Sequence, residues 1–201
     1  MTLTDKLTID DIVDLRAYER ERDAFRAQII DLKKIRRIGV GPFVSIVFEN
    51  RDTIRFQIQE MARAEKILSD DAIQMELDIY NPLIPERGSL AATLFIELTS
   101  KDDLLEWLPK LVGIEQSVDL RIGPPGSDVV VSARVDPDHE RRLTRETTTA
   151  SVHYVHFDLD DSHVERFANE PVSVAVAHAN YAYATQLDET SKESLLADLR
   201  G

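Results

Sequence analysis

Hydrophobic residues recur at helical spacing in the first part of the chain. The segment 9–36 carries them in one stripe, at Leu15, Tyr18, Phe25, Ile29 and Leu32. Thr8 followed by Asp11 three residues later resembles a capping box, the pattern in which two side chains satisfy the first N–H groups of a helix. The pattern predicts helix from about residue 9 onward, either one helix broken near Arg22 or two short helices.

Strand and helix patterns follow each other in the next part of the chain. Residues 38–40 and 44–48 are short β-type runs separated by the turn dipeptide Gly41-Pro42, and Asn50 can cap a following helix. The sequence NPLIP after Tyr80 forces an extended exit from a further helical segment. A strand pattern at 90–98 then precedes an amphipathic helix with apolar positions at Leu104, Leu105, Trp107, Leu108 and Leu111.

The second half of the chain repeats this mixture. Residues 118–122 and 129–135 flank GPPGSD, the strongest hairpin signal in the sequence. The remaining predicted elements are a charged helix from Asp136-Pro137 to Arg145, strands at 152–159 and 172–178, and a last helix with a capping box at Thr190 and Glu193. Because hairpins are as frequent as helical crossovers, we predict an α+β fold with N-terminal helices packed on a mixed or mostly antiparallel sheet.

The composition predicts a folded chain with a sizeable core. Its 201 residues are 43% hydrophobic and include only seven glycines and eight prolines. Such a chain can bury its apolar residues in a single domain spanning 1–201, or in two intimately packed lobes of about 1–112 and 113–201.

The charge balance and the residue types restrict the classes of function. A net charge of −13 disfavours nucleic acid and anionic membranes as partners, because both are themselves negative. The absence of cysteine excludes disulfides, a thiol nucleophile and a self-contained iron–sulfur site. The N-terminus lacks a signal-peptide pattern, and no run of eighteen apolar residues occurs, so we expect a soluble cytoplasmic protein without membrane insertion.

Three glutamates fall among apolar side chains in the predicted helices. On a helical wheel Glu65 lies within a stripe formed with Met61 and Leu68, while Glu60 and Glu76 lie between apolar neighbours. Buried carboxylates need partners, so we expect at least two of the three to be buried and hydrogen-bonded or ion-paired. Two interpretations remain open: ion pairs with nearby arginines (Arg36, Arg37, Arg51, Arg63), or a ligand or metal site that also includes Gln57.

The histidines give a second set of candidates. Alternation along a strand would place His153 on the buried face and His156 on the other. His153 is a core residue or a metal ligand, His178 is a further ligand candidate, and His139 and His163 fit surface positions at helix starts. No Glu-x-x-His occurs, which argues against a carboxylate-bridged di-iron centre. We therefore expect no cofactor, with a divalent metal as the alternative.

Several longer motifs resemble one known family. They are KKIRRIGVGPFVSIVFENR, TIRFQIQEMARAE, ELDIYNPLIP, TLFIEL, SVHYVHF and the turn VAHANY, and together they cover nearly the whole chain. The chain thereby resembles domain-of-unknown-function family 3501, although Ala179 follows His178 where the family pattern has proline. The resemblance implies no particular activity. It implies an association with rubrerythrin-like and iron–sulfur oxidoreductase proteins, and so a link to oxidative stress.

Two functions are compatible with these observations. The first is an accessory protein without catalytic activity, a homo-oligomer that docks a redox partner through the basic cluster Lys33, Lys34, Arg36 and Arg37. The alternative is an enzyme that binds a metal or a small ligand with the candidate residues Gln57, Glu60, Glu65, Glu76, His153 and His178. The sequence leaves open whether the protein is an enzyme.

Overall fold

The computed structural model describes residues 6–135 and 148–201. Its helices are α1 (Leu15–Arg36), α2 (Arg51–Glu65), α3 (Asp70–Tyr80), α4 (Lys101–Lys110), α5 (Asp161–Asn169) and α6 (Glu189–Arg200). Its strands are β1 (Arg37–Val40), β2 (Val44–Glu49), β3 (Ser89–Ile96), β4 (Val118–Ile122), β5 (Val129–Ser132), β6 (Val152–Asp158), β7 (Val172–His178) and β8 (Tyr181–Gln186). The predicted helix at Asp136–Arg145 lies outside the described residues.

The strands form two antiparallel sheets. The first sheet has the order β1-β2-β3-β6, and the second sheet has the order β5-β4-β7-β8. Every strand pair in both sheets is antiparallel, so the predicted α+β fold is confirmed. Strand β6 comes from the second half of the chain and pairs with β3 in the first sheet.

The two sheets share the main hydrophobic core. Phe48, Leu94 and Phe157 of the first sheet join Leu120 and Val174 of the second sheet in one cluster of buried side chains. Since side chains alternate along a strand, the residues between them point to the opposite face of the first sheet. A second, smaller cluster lies on that face, where Ile54, Ile58, Leu77 and Leu83 bring α2, α3 and the turn after α3 together.

Capping residues set the starts of the helices. The caps of α1 and α6 differ from those that the sequence predicted. Asp14 accepts hydrogen bonds from the backbone N–H groups of Arg16 and Ala17, so α1 begins at Leu15 and is a single helix. The Thr8 and Asp11 pattern instead closes a 3-10 turn at Ile9–Asp11. The last helix is capped by Asp188 and not by Thr190. In each case the aspartate directly before the first helical residue provides the acceptor oxygen.

Arg36 links α1 to the first sheet and to α6. Its guanidinium is buried and donates to the carbonyl oxygens of Phe48 at 2.8 Å and Glu49 at 3.0 Å. It also donates to the hydroxyl of Ser194 at 3.0 Å and forms an ion pair with Asp198. Within the described ranges, no helix is both long enough and apolar enough to cross a membrane.

Candidate functional site

The three candidate glutamates occupy different environments. Glu60 accepts hydrogen bonds from the hydroxyl of Tyr18 at 2.7 Å and from Nε and Nη2 of Arg22, both at 2.8 Å. The hydrogen-bonded arginine holds the pKa of Glu60 below its usual value. Glu65 is exposed and Glu76 is half-buried. Within the described residues only Glu60 has such partners, and Glu65 is exposed, so the expectation that at least two of the three are buried and paired is wrong.

The reason for this error lies at the end of α2. Lys66 adopts a left-handed backbone conformation with φ 56°, so the helix ends at Glu65. A helical wheel that continues to Leu68 therefore compares positions that do not share one helix, and Leu68 is 84% exposed. The predicted stripe around Glu65 does not exist.

Glu76 provides a test of the electrostatics of this region. Burial raises the pKa of Glu76, and the neighbouring Glu65 carboxylate raises it further. At acidic pH, below the unfolded-state pKa, Glu76 is protonated in both the folded and the unfolded protein. Its burial then costs no ionisation energy. As the pH rises through the window up to the folded-state pKa, ionisation in the folded protein becomes unfavourable relative to the unfolded chain.

Glu76→Gln should therefore raise the thermal unfolding midpoint at neutral pH but not at acidic pH. Glu165→Gln, an exposed change on α5, should give no such gain, and an equal gain at both pH values would contradict the assignment.

The histidines are placed largely as predicted. His153 is 2% exposed while His156 is partly exposed, which confirms the predicted difference. Nε2 of His153 lies 2.8 Å from Oγ1 of Thr149 and 2.9 Å from the carbonyl oxygen of Ala150, and Nδ1 lies 3.8 Å from Oε2 of the buried Glu115. These contacts make His153 part of the interior.

The other candidates lie apart from His153. His178 ends β7, where its Nδ1 accepts from the backbone N–H of Asn180 at 3.2 Å and its Nε2 lies 3.2 Å from the carbonyl oxygen of Val112. His163 is in the first turn of α5, as predicted, and His139 lies outside the described residues. Over 6–135 and 148–201, no group of three or more His, Asp or Glu side chains could hold a metal ion.

The four residues of the basic cluster do not form one surface. Arg36 is 1% exposed, which removes it from any docking surface. Lys34 pairs with Asp31, and Arg37 pairs with Glu97 while its guanidinium lies over the ring of Phe95. Lys33 lines a pocket.

That pocket lies between α1–α3 and the outer face of the first sheet, and we call it the helix–sheet pocket. It encloses about 360 Å³ and is lined by Lys33, Glu49, Ile54, Gln57, Tyr80, Leu83, Thr93, Phe95, Val152 and Tyr154. The strand residues among these lie on one face of β2, β3 and β6, because Thr93 pairs with Tyr154 and Phe95 pairs with Val152 in the sheet register. Ile54 and Gln57 come from α2, and Tyr80 ends α3.

Glu49 supplies the buried carboxylate of the pocket. It is the last residue of β2, is 6% exposed, and its Oε1 accepts a hydrogen bond from the hydroxyl of Thr93 at 2.6 Å. Its backbone carbonyl is held by Arg36. In the described part of the chain, no Lys, Arg or His nitrogen lies within 4.0 Å of the Glu49 carboxylate. The pocket therefore contains a buried carboxylate whose only side-chain partner there is a neutral hydroxyl.

Two phenols complete the polar wall. Burial raises the pKa of Tyr154 above its ordinary value, and the nearby Tyr80 phenol and Glu49 carboxylate raise it further. The Tyr154 hydroxyl therefore keeps its proton at neutral pH and can donate a hydrogen bond. The region around Glu49 thus has several side chains that can donate or accept hydrogen bonds, namely those of Gln57, Tyr80, Thr93 and Tyr154.

Of the residues that line this pocket, the sequence predicted Gln57 as a ligand candidate and did not single out Glu49, Thr93, Tyr80 or Tyr154. One signal was present: Glu49 follows Val47 by two positions in VSIVFE, an otherwise apolar strand. A carboxylate in line with buried strand residues suggests a functional position. The other three residues are unremarkable in sequence, and only the strand register brings them to Glu49.

The fold and this pocket define a class of protein, a two-sheet α+β domain with a small-molecule-sized cavity under a helical layer. The chain belongs to the family described as "Protein of unknown function (DUF3501)", whose model matches residues 6–199. Among solved structures it is similar to a novel protein of unknown function from Burkholderia pseudomallei K96243, with 37% identity over 97% of this chain and 100% of that chain, and a TM-score of 0.87. A comparison with curated proteins gives no match. The family resemblance predicted from the motifs is confirmed.

Proposed function

We propose that the protein binds a small organic molecule in the helix–sheet pocket. The observation that carries this proposal is the buried Glu49 carboxylate at the wall of a cavity of about 360 Å³. A volume of this order is typical of small-molecule sites, which combine mostly apolar walls with a few placed polar groups. This proposal keeps the small-ligand part of the predicted alternative, an enzyme that binds a metal or a small ligand, and it puts Glu49 in place of the predicted glutamates.

The wall of the pocket has both kinds of surface. Ile54, Leu83 and Val152 give it apolar area that a ligand can cover, and the hydroxyl, amide and carboxylate groups around Glu49 can fix the ligand's orientation. Holding a buried carboxylate without a charged partner lowers the stability of a protein. A ligand that binds in the pocket would supply the contacts that Glu49 lacks within the described residues.

The accessory role in a redox system and the homo-oligomeric state stay predictions of the sequence. Lys34 and Arg37 are the exposed residues of the predicted docking cluster, and each already pairs with an acidic neighbour. Exposed pairs of this kind contribute little energy, so both side chains can exchange partners at small cost. The helix–sheet pocket instead contains a buried carboxylate, which makes it the more specific feature. We therefore place ligand binding before partner docking.

Filling the pocket should abolish ligand binding. Val152→Trp places a large ring at the wall of the cavity, and we expect the small molecules that bind the wild-type protein in a ligand-observed NMR fragment screen to lose their signal. Val130→Trp is the matched control, because Val130 is 51% exposed on β5 of the second sheet and lies outside the pocket lining. The control should keep every hit, and both variants should retain the wild-type circular dichroism spectrum.

Two results would overturn the proposed function. One is a fragment screen in which no compound binds the wild-type protein. The other is a set of hits that bind the Val152→Trp variant as well as they bind the wild-type protein, because they would then occupy another place.

A further inference from the structure

We infer that the ligand of the helix–sheet pocket is a small organic monocation, with an ammonium or amidinium group that pairs with the Glu49 carboxylate. This inference rests on the proposed function and adds the chemical class of the ligand. It follows from the charge, the burial and the aromatic groups around Glu49.

Glu49 has no counter-charge within the described residues. The side chain is 6% exposed and lines the cavity, and its Oε1 accepts one hydrogen bond from Thr93. A carboxylate this buried is stable when it is paired with a cation or receives several hydrogen bonds. Arg36 directs its guanidinium to the backbone carbonyl of Glu49 and to Asp198, so its charge is already matched by another carboxylate. A cationic ligand would supply the pairing that Glu49 lacks within the described residues.

The pocket also has an aromatic wall. Tyr80, Tyr154 and Phe95 line the same cavity, and the faces of aromatic rings attract cations. The Arg37 guanidinium lies 5.2 Å from the centroid of Phe95, so the first sheet already uses one ring of this wall in a cation–π contact. The two tyrosines also offer phenol oxygens as acceptors for the N–H groups of an amine.

Among the described residues, Lys33 is the one cationic side chain that lines the pocket. In a cavity of about 360 Å³, any second cationic group of a ligand would lie close to this ammonium. Repulsion between like charges disfavours such a ligand. The apolar residues Ile54 and Leu83 instead fit a short hydrocarbon or aromatic body. The pocket thus favours one cationic group on an apolar frame.

The test compares three probes of similar shape and different charge: 3-phenylpropan-1-amine, 3-phenylpropan-1-ol and 3-phenylpropanoate. Their dissociation constants for the wild-type protein are measured at neutral pH by ligand-observed NMR titration. A charge-assisted hydrogen bond exceeds a neutral one by enough to change affinity roughly tenfold. We expect the amine to bind at least about tenfold more tightly than the alcohol, and the carboxylate to bind most weakly.

Two variants connect the preference to Glu49. Glu49→Gln keeps the shape of the side chain and its acceptor for Thr93, and it should reduce the amine-to-alcohol preference to about one. Glu106→Gln, an exposed change on α4 outside the pocket lining, should leave the preference intact. If Glu49→Gln fails to fold, Lys33→Gln provides an independent measurement, because removal of this positive charge should increase the affinity for the amine.

The outcomes separate this inference from the proposed function. If the alcohol or the carboxylate binds as tightly as the amine and Val152→Trp abolishes that binding, the cationic class is wrong and the pocket is still a ligand site. An amine preference that persists in Glu49→Gln, or that Lys33→Gln does not increase, also overturns the inference. If none of the three probes binds the wild-type protein, the inference fails, and the fragment screen decides the proposed function separately.

Discussion

Replacement of Arg36 by methionine should lower the free energy of unfolding by about 3–5 kcal/mol, the usual cost of breaking a buried ion pair on one side. The variant removes the partner of Asp198 and the donors to the carbonyl oxygens of Phe48 and Glu49, and methionine cannot replace any of these contacts. Without these contacts, α6 should no longer be held to α1 and to the end of β2. Urea-induced unfolding followed by circular dichroism measures the loss of stability.

Lys34 provides a matched control for this prediction. Lys34 lies two residues before Arg36 in α1. It pairs with Asp31 at the surface, where the Lys34 side chain is 69% exposed. Lys34→Met should cost no more than about 1 kcal/mol, as is typical of exposed ion pairs. Equal losses for the two variants would show that Arg36 does not act through its buried contacts. A second substitution, Asp198→Leu in the Arg36→Met background, should recover part of the loss because it removes the stranded carboxylate.

Gly41→Ala should also lower the free energy of unfolding, by less than Arg36→Met does. Gly41 has φ 77°, a conformation that costs side-chain-bearing residues about 1–3 kcal/mol. A Cβ atom there would lie 2.5 Å from the hydroxyl of Tyr181 and 2.6 Å from the ring of Tyr183. The Tyr181 hydroxyl cannot yield easily, because it donates to the carbonyl oxygen of Val40 at 2.6 Å and accepts from the backbone N–H of Val44 at 3.1 Å. These bonds join the β1–β2 hairpin of the first sheet to β8 of the second.

Gly126 separates the two contributions to this loss. It also has a positive φ, 89°, but a Cβ atom there would meet nothing within 4 Å. Gly126→Ala should therefore show the backbone strain alone. Gly41→Ala should exceed it by about 1–3 kcal/mol, the usual cost of forcing extra atoms into a packed site. Thermal or urea unfolding of both variants measures the difference, and similar losses would mean that the tyrosines move aside without cost.

The sequence determined the local elements because their signals are local. Alternation along SVHYVHF correctly predicted that His153 is buried and His156 is not. Asn50 caps α2 as predicted, and the hairpin at GPPGSD joins β4 to β5. The motifs also identified the family. The predictions for His153, Asn50 and the hairpin each depend on residues within a few positions of one another, where backbone geometry limits the alternatives.

The tertiary structure decided which side chains meet. Glu60 is satisfied by Tyr18 and Arg22, which are 42 and 38 positions away in the chain, and no local pattern names such partners. The left-handed conformation at Lys66 ended α2 and separated Glu65 from the stripe that a longer helix would have formed.

The helix–sheet pocket depends on the same long-range pairing. Its lining combines α1, α2 and the end of α3 with β2, β3 and β6, from Lys33 to Tyr154. The antiparallel register of β3 with β6 places Thr93 beside Tyr154, and the register of β2 with β3 sets Glu49 near both. A shift of one residue in either register would turn these side chains to the opposite face of the sheet. The site is therefore a property of strand pairing between distant segments, which the sequence of any one segment does not contain.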